Sequence, residues 1–314
     1  MSTSKKALKK EFSITASPVI KWAGGKTQLL PELHKNFPNE LFSGSIDTYI
    51  EPFVGGGAVF FEIANTFKFK KAYLFDINPE LVILYNSLKT DVERVIQELG
   101  TLASSYLSRN EEERQLYFYE VREIYNNEVA VTHKAMEHSP FNAKRAAMTI
   151  FLNRTCFNGL FRVNKKGGFN VPHGRYKNPT ILFEDKLRAA SKALQCAEIL
   201  LGDFELCEKY ISGKTFIYYD PPYRPVSETA SFNSYTKEDF DDSAQKRLAS
   251  FYKKVGSSSV FQLLSNSDPS NYIEDPFFDD LYSDFSILRV DATRRINSNA
   301  AKRGALREIL VRNY

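Results

Sequence analysis

The stretch Asp220-Pro221-Pro222-Tyr223 holds the residue types that most directly suggest chemistry. Neither proline carries an N–H, and Pro222 forces Pro221 into extended geometry, so the turn shows an acid and carbonyl acceptors without competing donors. Such a pair suits the exocyclic amine of a nucleobase. If Asp220 takes one N–H and the Pro221 carbonyl the other, the nitrogen is drawn toward tetrahedral geometry and its lone pair faces an incoming electrophile. Tyr223 offers a ring to stack on the base. These groups can run direct methyl transfer from a sulfonium to nitrogen, aided by orientation and fixed dipoles, with no covalent intermediate. A base reacting this way must first leave a duplex, at a cost of roughly a few kcal/mol that the pocket offsets. Alone, the tetrapeptide could also be only a rigid turn, but the segments around it each supply a part of the same reaction.

The elements that must position this turn are legible as alternating strands and helices. An apolar run, Thr215 to Tyr219, precedes Asp220 and places it at the carboxyl edge of an open sheet, where ligands bind. Upstream, the strand Thr48 to Ile50 leads into the turn Glu51-Pro52-Phe53-Val54-Gly55-Gly56-Gly57 and a helix from Ala58 to Ala64. A second strand, Lys71 to Phe75, ends at Asp76, with Asn78 as the N-cap and Pro79 as the first residue of the next helix. Glycines let the backbone approach a ligand, and a helix N-terminus favours a carboxylate or phosphate. Asp76, nineteen residues past Gly57, is spaced to accept hydrogen bonds from ribose hydroxyls. Phe60 stands three residues after Gly57, so the dinucleotide fingerprint is absent. A cofactor with a small zwitterionic tail, such as S-adenosylmethionine, fits better. The segment Gly24-Gly25-Lys26-Thr27 imitates the end of a P-loop, but Ile20 occupies the position where that loop needs glycine, which excludes an ATPase. Trp22, the only tryptophan, must be held by core packing or by ligand stacking.

Composition narrows the partners. A chain of 314 residues, 43% hydrophobic and 25% charged, is a globular balance with no run of eighteen apolar residues and no apolar stretch after the N-terminal lysines. Neither secretion nor membrane spanning is supported, so a cytoplasmic location with no membrane partner is expected. Three cysteines and four histidines show neither paired nor metal-ligand spacing, which excludes a disulfide framework and a zinc site; no metal is expected. The formal charge of +4 hides an asymmetry: residues 144–192 hold eleven Lys and Arg against Glu184 and Asp185, and the rest of the chain is net acidic. This block suits a polyanion, since phosphate contacts supply most sequence-independent affinity for nucleic acid, although a solvated basic face has the same composition. Helical composition dominates from 87 to 152, with helices expected at Asp91–Leu102 and Glu111–Tyr125; Phe161 to Val171 alternates around Lys165-Lys166-Gly167-Gly168 as a basic hairpin. Strand signals return at Ala197–Leu201, Val260–Leu264 and Leu306–Val311. The expected fold is α/β: a Rossmann-like methyltransferase sheet interrupted by a mainly helical target-recognition insertion carrying the hairpin. The expected limits are 1–86 and 193–314 for the two parts of the catalytic domain and 87–192 for the insertion.

Together these stretches resemble the DNA adenine-N6 methyltransferases in which the cofactor motif comes first, the recognition domain second and the catalytic motif last. The resemblance rests on Lys21-Trp-Ala-Gly-Gly-Lys26, Glu51 to Gly57, Asp76-Ile-Asn78, Asn153 to Arg162, Gly168 to Tyr176 and Asp220 to Tyr223, and runs from near residue 20 to the end of the chain. It implies S-adenosylmethionine contacts for Trp22, Lys26, Asp76 and Asp220, with Phe53, Gly55 and Ile77 in the same pocket. It also places Asp203 near the cofactor adenine, where a plain strand-end turn is the alternative. Lys21, Asn158, Leu160, Arg162 and Pro172 match positions that read bases in members acting on GATC, which makes GATC the expected site and other adenine-containing sites the alternative. Arg162 would then pair bidentately with guanine. Phe157 stands where a tyrosine is frequent; an inserted ring survives that change and a hydroxyl contact does not. Arg294 to Gly304 resembles a family loop before the last strand, and Ser265 to Asp268 either lines the target pocket or turns the chain. The expected activity is methylation of adenine N6 in duplex DNA, with a restriction endonuclease as a separately acting companion. The alternatives are an amino-methyltransferase of single-stranded DNA or RNA, and a catalytically silent DNA-binding homologue. The long basic insertion favours duplex DNA, and the intact tetrapeptide favours an enzyme.

Overall fold

The computed structural model describes residues 14–136, 139, 141–164, 167–224, 240–268, 275–292 and 306–314. Among them, β1 (Thr48–Glu51), β2 (Lys71–Asp76), β3 (Ala197–Leu201), β4 (Thr215–Tyr219), β5 (Val260–Ser267), β6 (Ser286–Ala292) and β7 (Leu306–Arg312) form one sheet in the order β3-β2-β1-β4-β5-β7-β6. The five strands from β3 to β5 are parallel, and β7 runs antiparallel to both its neighbours. The two central strands are buried along their whole length, as apolar strands covered on both faces must be. The chain winds from β1 through β2 to β3 in one direction, then from β4 to β5 in the other. The order therefore reverses between β1 and β4, where an open sheet leaves a crevice at its carboxyl edge. The glycine turn leaves the end of β1 and the Asp220 turn leaves the end of β4, so the topology brings them face to face.

Short helices α1 (Leu30–Lys35) and α2 (Asn39–Phe42) precede β1, α3 (Ala58–Thr66) follows it, and α4 (Pro79–Thr90) follows β2. The stretch between α4 and β3 holds α5 (Val92–Leu107), α6 (Glu111–Asn127), α7 (Val129–Ala135), α8 (Ala143–Thr155) and α9 (Glu184–Leu194). Further on, α10 (Asp242–Val255) lies between β4 and β5, and α11 (Phe277–Leu281) precedes β6. The caps explain several starts. The Asn78 side chain accepts from Glu80 N with Pro79 at the first helical position, Asp91 caps α5 through Arg94 N, and Asn110 and Glu113 form a reciprocal capping box at α6.

The expected hairpin is reduced, among the described residues, to a single antiparallel bridge between Val163 and Phe169. Asn164 N donates to Gly168 O (2.8 Å) and Asn170 N to Arg162 O (3.0 Å) on either side of that bridge, and the outward-facing Phe169 N and O are held by the Asn126 side chain of α6 (2.7 and 3.0 Å). Lys165 and Lys166 lie outside the described residues, as does the Arg294 to Gly304 loop.

Period-two alternation sorts the core. Tyr49 and Tyr218 enter a cluster on one face of the sheet that continues through Phe118 and Phe151 of the helical stretch. Ile50, Ile217 and Tyr219 enter a second cluster on the other face with Leu248 and Tyr252 of α10. A buried ion pair ties α4 to α8: Arg145, fully buried, binds both carboxylate oxygens of Glu80 (2.9 and 2.6 Å), and its guanidinium stacks 3.3 Å from the Tyr125 ring. His133 lies 2.9 Å from the same carboxylate. The limits expected at 86/87 and 192/193 fall within α4 and α9, which pack against each other. No helix among the described residues is long and apolar enough to cross a membrane.

Candidate active site

Asp220 is the first residue beyond β4, and its Oδ1 lies 2.6 Å from the Lys26 ammonium. Lys26 is almost fully buried, in a 3-10 turn that begins right after Gly25, and its Nζ also donates to Gly24 O at 2.8 Å. A buried ammonium needs such partners. The same Nζ stands 4.7 Å from the Tyr223 ring centroid, so one lysine joins both ends of the tetrapeptide. Burial pushes the Asp220 carboxyl up to about 6, against the pull of Lys26. The Ser265 hydroxyl approaches Asp220 Oδ1 at 3.4 Å and bonds the Tyr218 hydroxyl at 2.7 Å. Ser265 belongs to β5, as do Asn266 and Ser267, so this stretch is strand rather than turn until Asp268.

The glycine turn owes its composition to a neighbour within the protein. A Cβ on Gly55 would stand 3.0 Å from Trp22 Cδ1 and Nε1, and one on Gly56 would stand 2.9 Å from Trp22 Cβ. Trp22 thus lies against the bare face of the turn, and its ring packs 5.3 Å from Phe161. Gly55 and Gly57 adopt positive φ, and Tyr85 donates its hydroxyl to Gly55 O at 2.7 Å. Beyond the turn, Asp76 accepts from Gly55 N and from Asn78 N, each at 2.9 Å. Burial pushes the Asp76 carboxyl up to about 6 while these backbone donors oppose the rise. Ile77, Leu201 and Leu206 are 48%, 48% and 38% exposed beside it. Apolar side chains next to an acid at the carboxyl edge suit a nucleoside, whose base wants an apolar surface and whose sugar wants acceptors.

Other expected residues take mixed positions. Phe53 packs on Phe204 and Phe240 at 5.6 and 5.7 Å. Asp203 caps the following 3-10 turn and binds Arg247 of α10 through both oxygens (3.0 and 2.7 Å), so its carboxylate is engaged in the fold. Sequence reasoning assigned no role to Glu51, which lies on the floor of the crevice at 2% exposure. Burial pushes its acid well up; Asp220 and Asp76 add to the rise, and the Tyr49 hydroxyl donates to it at 2.7 Å. An acid at the very end of an apolar strand was the available signal.

The base-reading candidates converge on one loop. Asn153, fully buried, accepts from Lys21 N (2.8 Å), donates to Lys21 O (2.9 Å) and donates to Gly159 O (2.9 Å). A Cβ on Gly159 would collide with Lys21 Cδ at 2.4 Å, so the lysine stem lies on the loop. Phe157 N donates to Pro172 O at 2.8 Å, Asn158 adopts left-handed φ of 57°, and the Phe157 ring is 52% exposed. Leu160 is half-buried behind them, and exposed Arg162 donates from Nε to Asn170 Oδ1 at 2.8 Å. Lys21, Trp22 and Lys26, three residues of one six-residue segment, therefore touch the Phe157–Arg162 loop, the glycine turn and the Asp220 turn. Among the described residues no group of His, Cys, Asp and Glu is arranged to hold a metal ion.

An acid followed by two residues without N–H donors at the switch point, and an acid beside exposed apolar side chains next to it, are features that a nucleobase amino-methyltransferase requires. The chain belongs to the D12 class of N6 adenine-specific DNA methyltransferases, whose family model matches residues 22–296. It is 47% identical over 298 residues to the type II methyltransferase M.MjaIII of Methanocaldococcus jannaschii, covering 95% of this chain and 99% of that protein. It is 38% identical over 303 residues to the type II methyltransferase M1.LlaDCHI of Lactococcus lactis subsp. cremoris, covering 96% of each. The DNA adenine methylase of Haemophilus influenzae is 33% identical over 296 residues, covering 94% of this chain and 92% of that one. The protein is accordingly an adenine-specific DNA methyltransferase, and its family implies S-adenosylmethionine as the methyl donor.

Proposed function

We propose that this enzyme methylates adenine N6 within GATC in duplex DNA, extruding the base and transferring the methyl group directly, as the modification partner of a separately acting restriction endonuclease. The single observation that carries the mechanism is Asp220, at the switch point, fixed by Lys26 at 2.6 Å and followed by two residues without N–H donors. When bound, S-adenosylmethionine supplies the electrophilic methyl group. Asp220 and the Pro221 carbonyl accept the two N–H bonds of the target amine, and Tyr223 stacks on the base. Lys26 holds Asp220 ionised and aimed, Asp76 and Ile77 receive the ribose and the adenine of the cofactor, and Trp22 and Gly55 close that pocket. Phe53 and Asp203 form its far wall.

Residues 87–192 form the recognition insertion. There the exposed Phe157 ring takes the place of the extruded base, while Lys21, Asn158, Leu160, Arg162 and Pro172 read the site from the loop that Asn153 organises. Support for GATC is the match of these residue types to GATC-reading members; support for a modification role is that two relatives are named type II methyltransferases. The test is labelled S-adenosylmethionine with duplexes that contain GATC or single-base variants of it. Label should appear on adenine in GATC alone; equal labelling of the variants overturns the assigned site, and label on structured RNA but no DNA overturns the substrate.

A further inference from the structure

We propose that Gln245 of α10 is a positioning residue for methyl transfer: by holding the Pro222 carbonyl, it leaves the Pro221 carbonyl as the one offered to the target amine. The proposal rests on the reading that the Asp220 turn grips that amine. A turn with two consecutive prolines cannot brace itself, because neither residue donates a backbone hydrogen bond. Its orientation must be imposed from outside. Lys26 and Ser265 impose it at the Asp220 end.

At the other end, the Gln245 amide nitrogen donates to Pro222 O at 3.1 Å. Its amide oxygen accepts from Asn266 Nδ2 at 3.3 Å, and Asn266 Oδ1 in turn accepts from Ser267 N at 2.8 Å. Gln245 and Asn266 are both fully buried, so these are bonds that water does not replace. A buried primary amide is the side chain that can donate to one neighbour and accept from another in this way. The first turn of the same helix adds a second tie. Asp242 binds Arg224, the residue after Tyr223, through both oxygens (2.6 and 2.8 Å); Arg224 also pairs with Asp275 and stacks 4.0 Å from the Phe277 ring. Thus α10 grips the catalytic turn on both sides of Tyr223 and refers it to β5.

The test uses the full-length protein, with Gln245→Met, which keeps the shape and loses both hydrogen bonds, and Gln245→Leu, which loses both with a different apolar shape. Three quantities are read well below the melting temperature: the single-turnover transfer rate, cofactor affinity and DNA affinity. Positioning predicts a transfer rate lowered about ten- to hundredfold in both variants, with cofactor and DNA affinities within about twofold of the parent. Transfer within about twofold of the parent in Gln245→Met overturns the proposal. So does a parallel fall of all three quantities, which marks a purely structural role. Failure of the parent itself to methylate adenine is a separate result, and refutes the assigned reaction rather than the clamp.

Discussion

At the scale of single residues, the site depends on two carboxyls held near the edge of their ionisation. Asp220 must be ionised to accept an N–H and to pair with Lys26, and burial has pushed it up to about 6. The transfer rate at saturating cofactor should therefore be constant above neutral pH and fall as pH drops through about 6; a rate indifferent to pH between 5 and 8 would contradict the assignment. Asp76, also pushed up to about 6, is proposed to hold the cofactor ribose, so cofactor affinity should weaken over the same range. Both carboxyls bind protons more tightly when folded than when unfolded. Their contribution to stability thus falls as pH rises from about 4 to 6, so activity and this part of the stability move in opposite directions. Asp220→Ala should abolish transfer; because it strands the buried Lys26 ammonium, it should also lower the melting temperature, whereas Asp220→Asn should abolish transfer with a smaller thermal shift. Gly55→Ala is a steric test. It sets a methyl group 3.0 Å from the Trp22 ring at a φ of +46°, and should cost about 1–3 kcal/mol with weakened cofactor binding, read by thermal melts and calorimetry.

At the scale of elements, the Glu80–Arg145 pair decides how firmly α8 sits on α4. Removing one partner of a buried pair typically costs about 3–5 kcal/mol, because the other charge is stranded, so Arg145→Met should lower stability by that order in chemical denaturation. Arg145 and His133 hold the Glu80 carboxyl down to about 2 although burial opposes them. This stabilisation is complete above about pH 4.5 and is lost as pH falls toward 2. The sequence revealed the elements around the site because their signals are local: the acid that ends β2, the Asn78-Pro79 cap and the apolar run of β4 each mark a boundary by residue type. It revealed less where the determinant is tertiary. Arg145 in the first turn of α8 looks like part of a basic surface, yet it is fully buried against an acid 65 residues away. Strand β6 carries Arg289 and Asp291 among its apolar residues and was not foreseen; pairing with β7 defines it. The glycines after β1 point to a close approach, and Trp22 lies against the bare faces of Gly55 and Gly56, a neighbour that no local signal marks.

At the scale of the whole molecule, the fold gives one short segment three tasks. Residues 21–26 reach the Phe157–Arg162 loop through Lys21, the glycine turn through Trp22 and the Asp220 turn through Lys26, so the proposed reading and the proposed chemistry share a covalent link. Arg162→Ala should relax discrimination at one base pair by about 1–3 kcal/mol; a uniform affinity loss across sequences would mark a phosphate contact instead. The most direct test of the account is to incubate the protein with labelled S-adenosylmethionine and duplex DNA, digest to nucleosides and identify the labelled species. The account predicts N6-methyladenine from the parent and none from Asp220→Ala. Label on cytosine, or N6-methyladenine undiminished in Asp220→Ala, would contradict it.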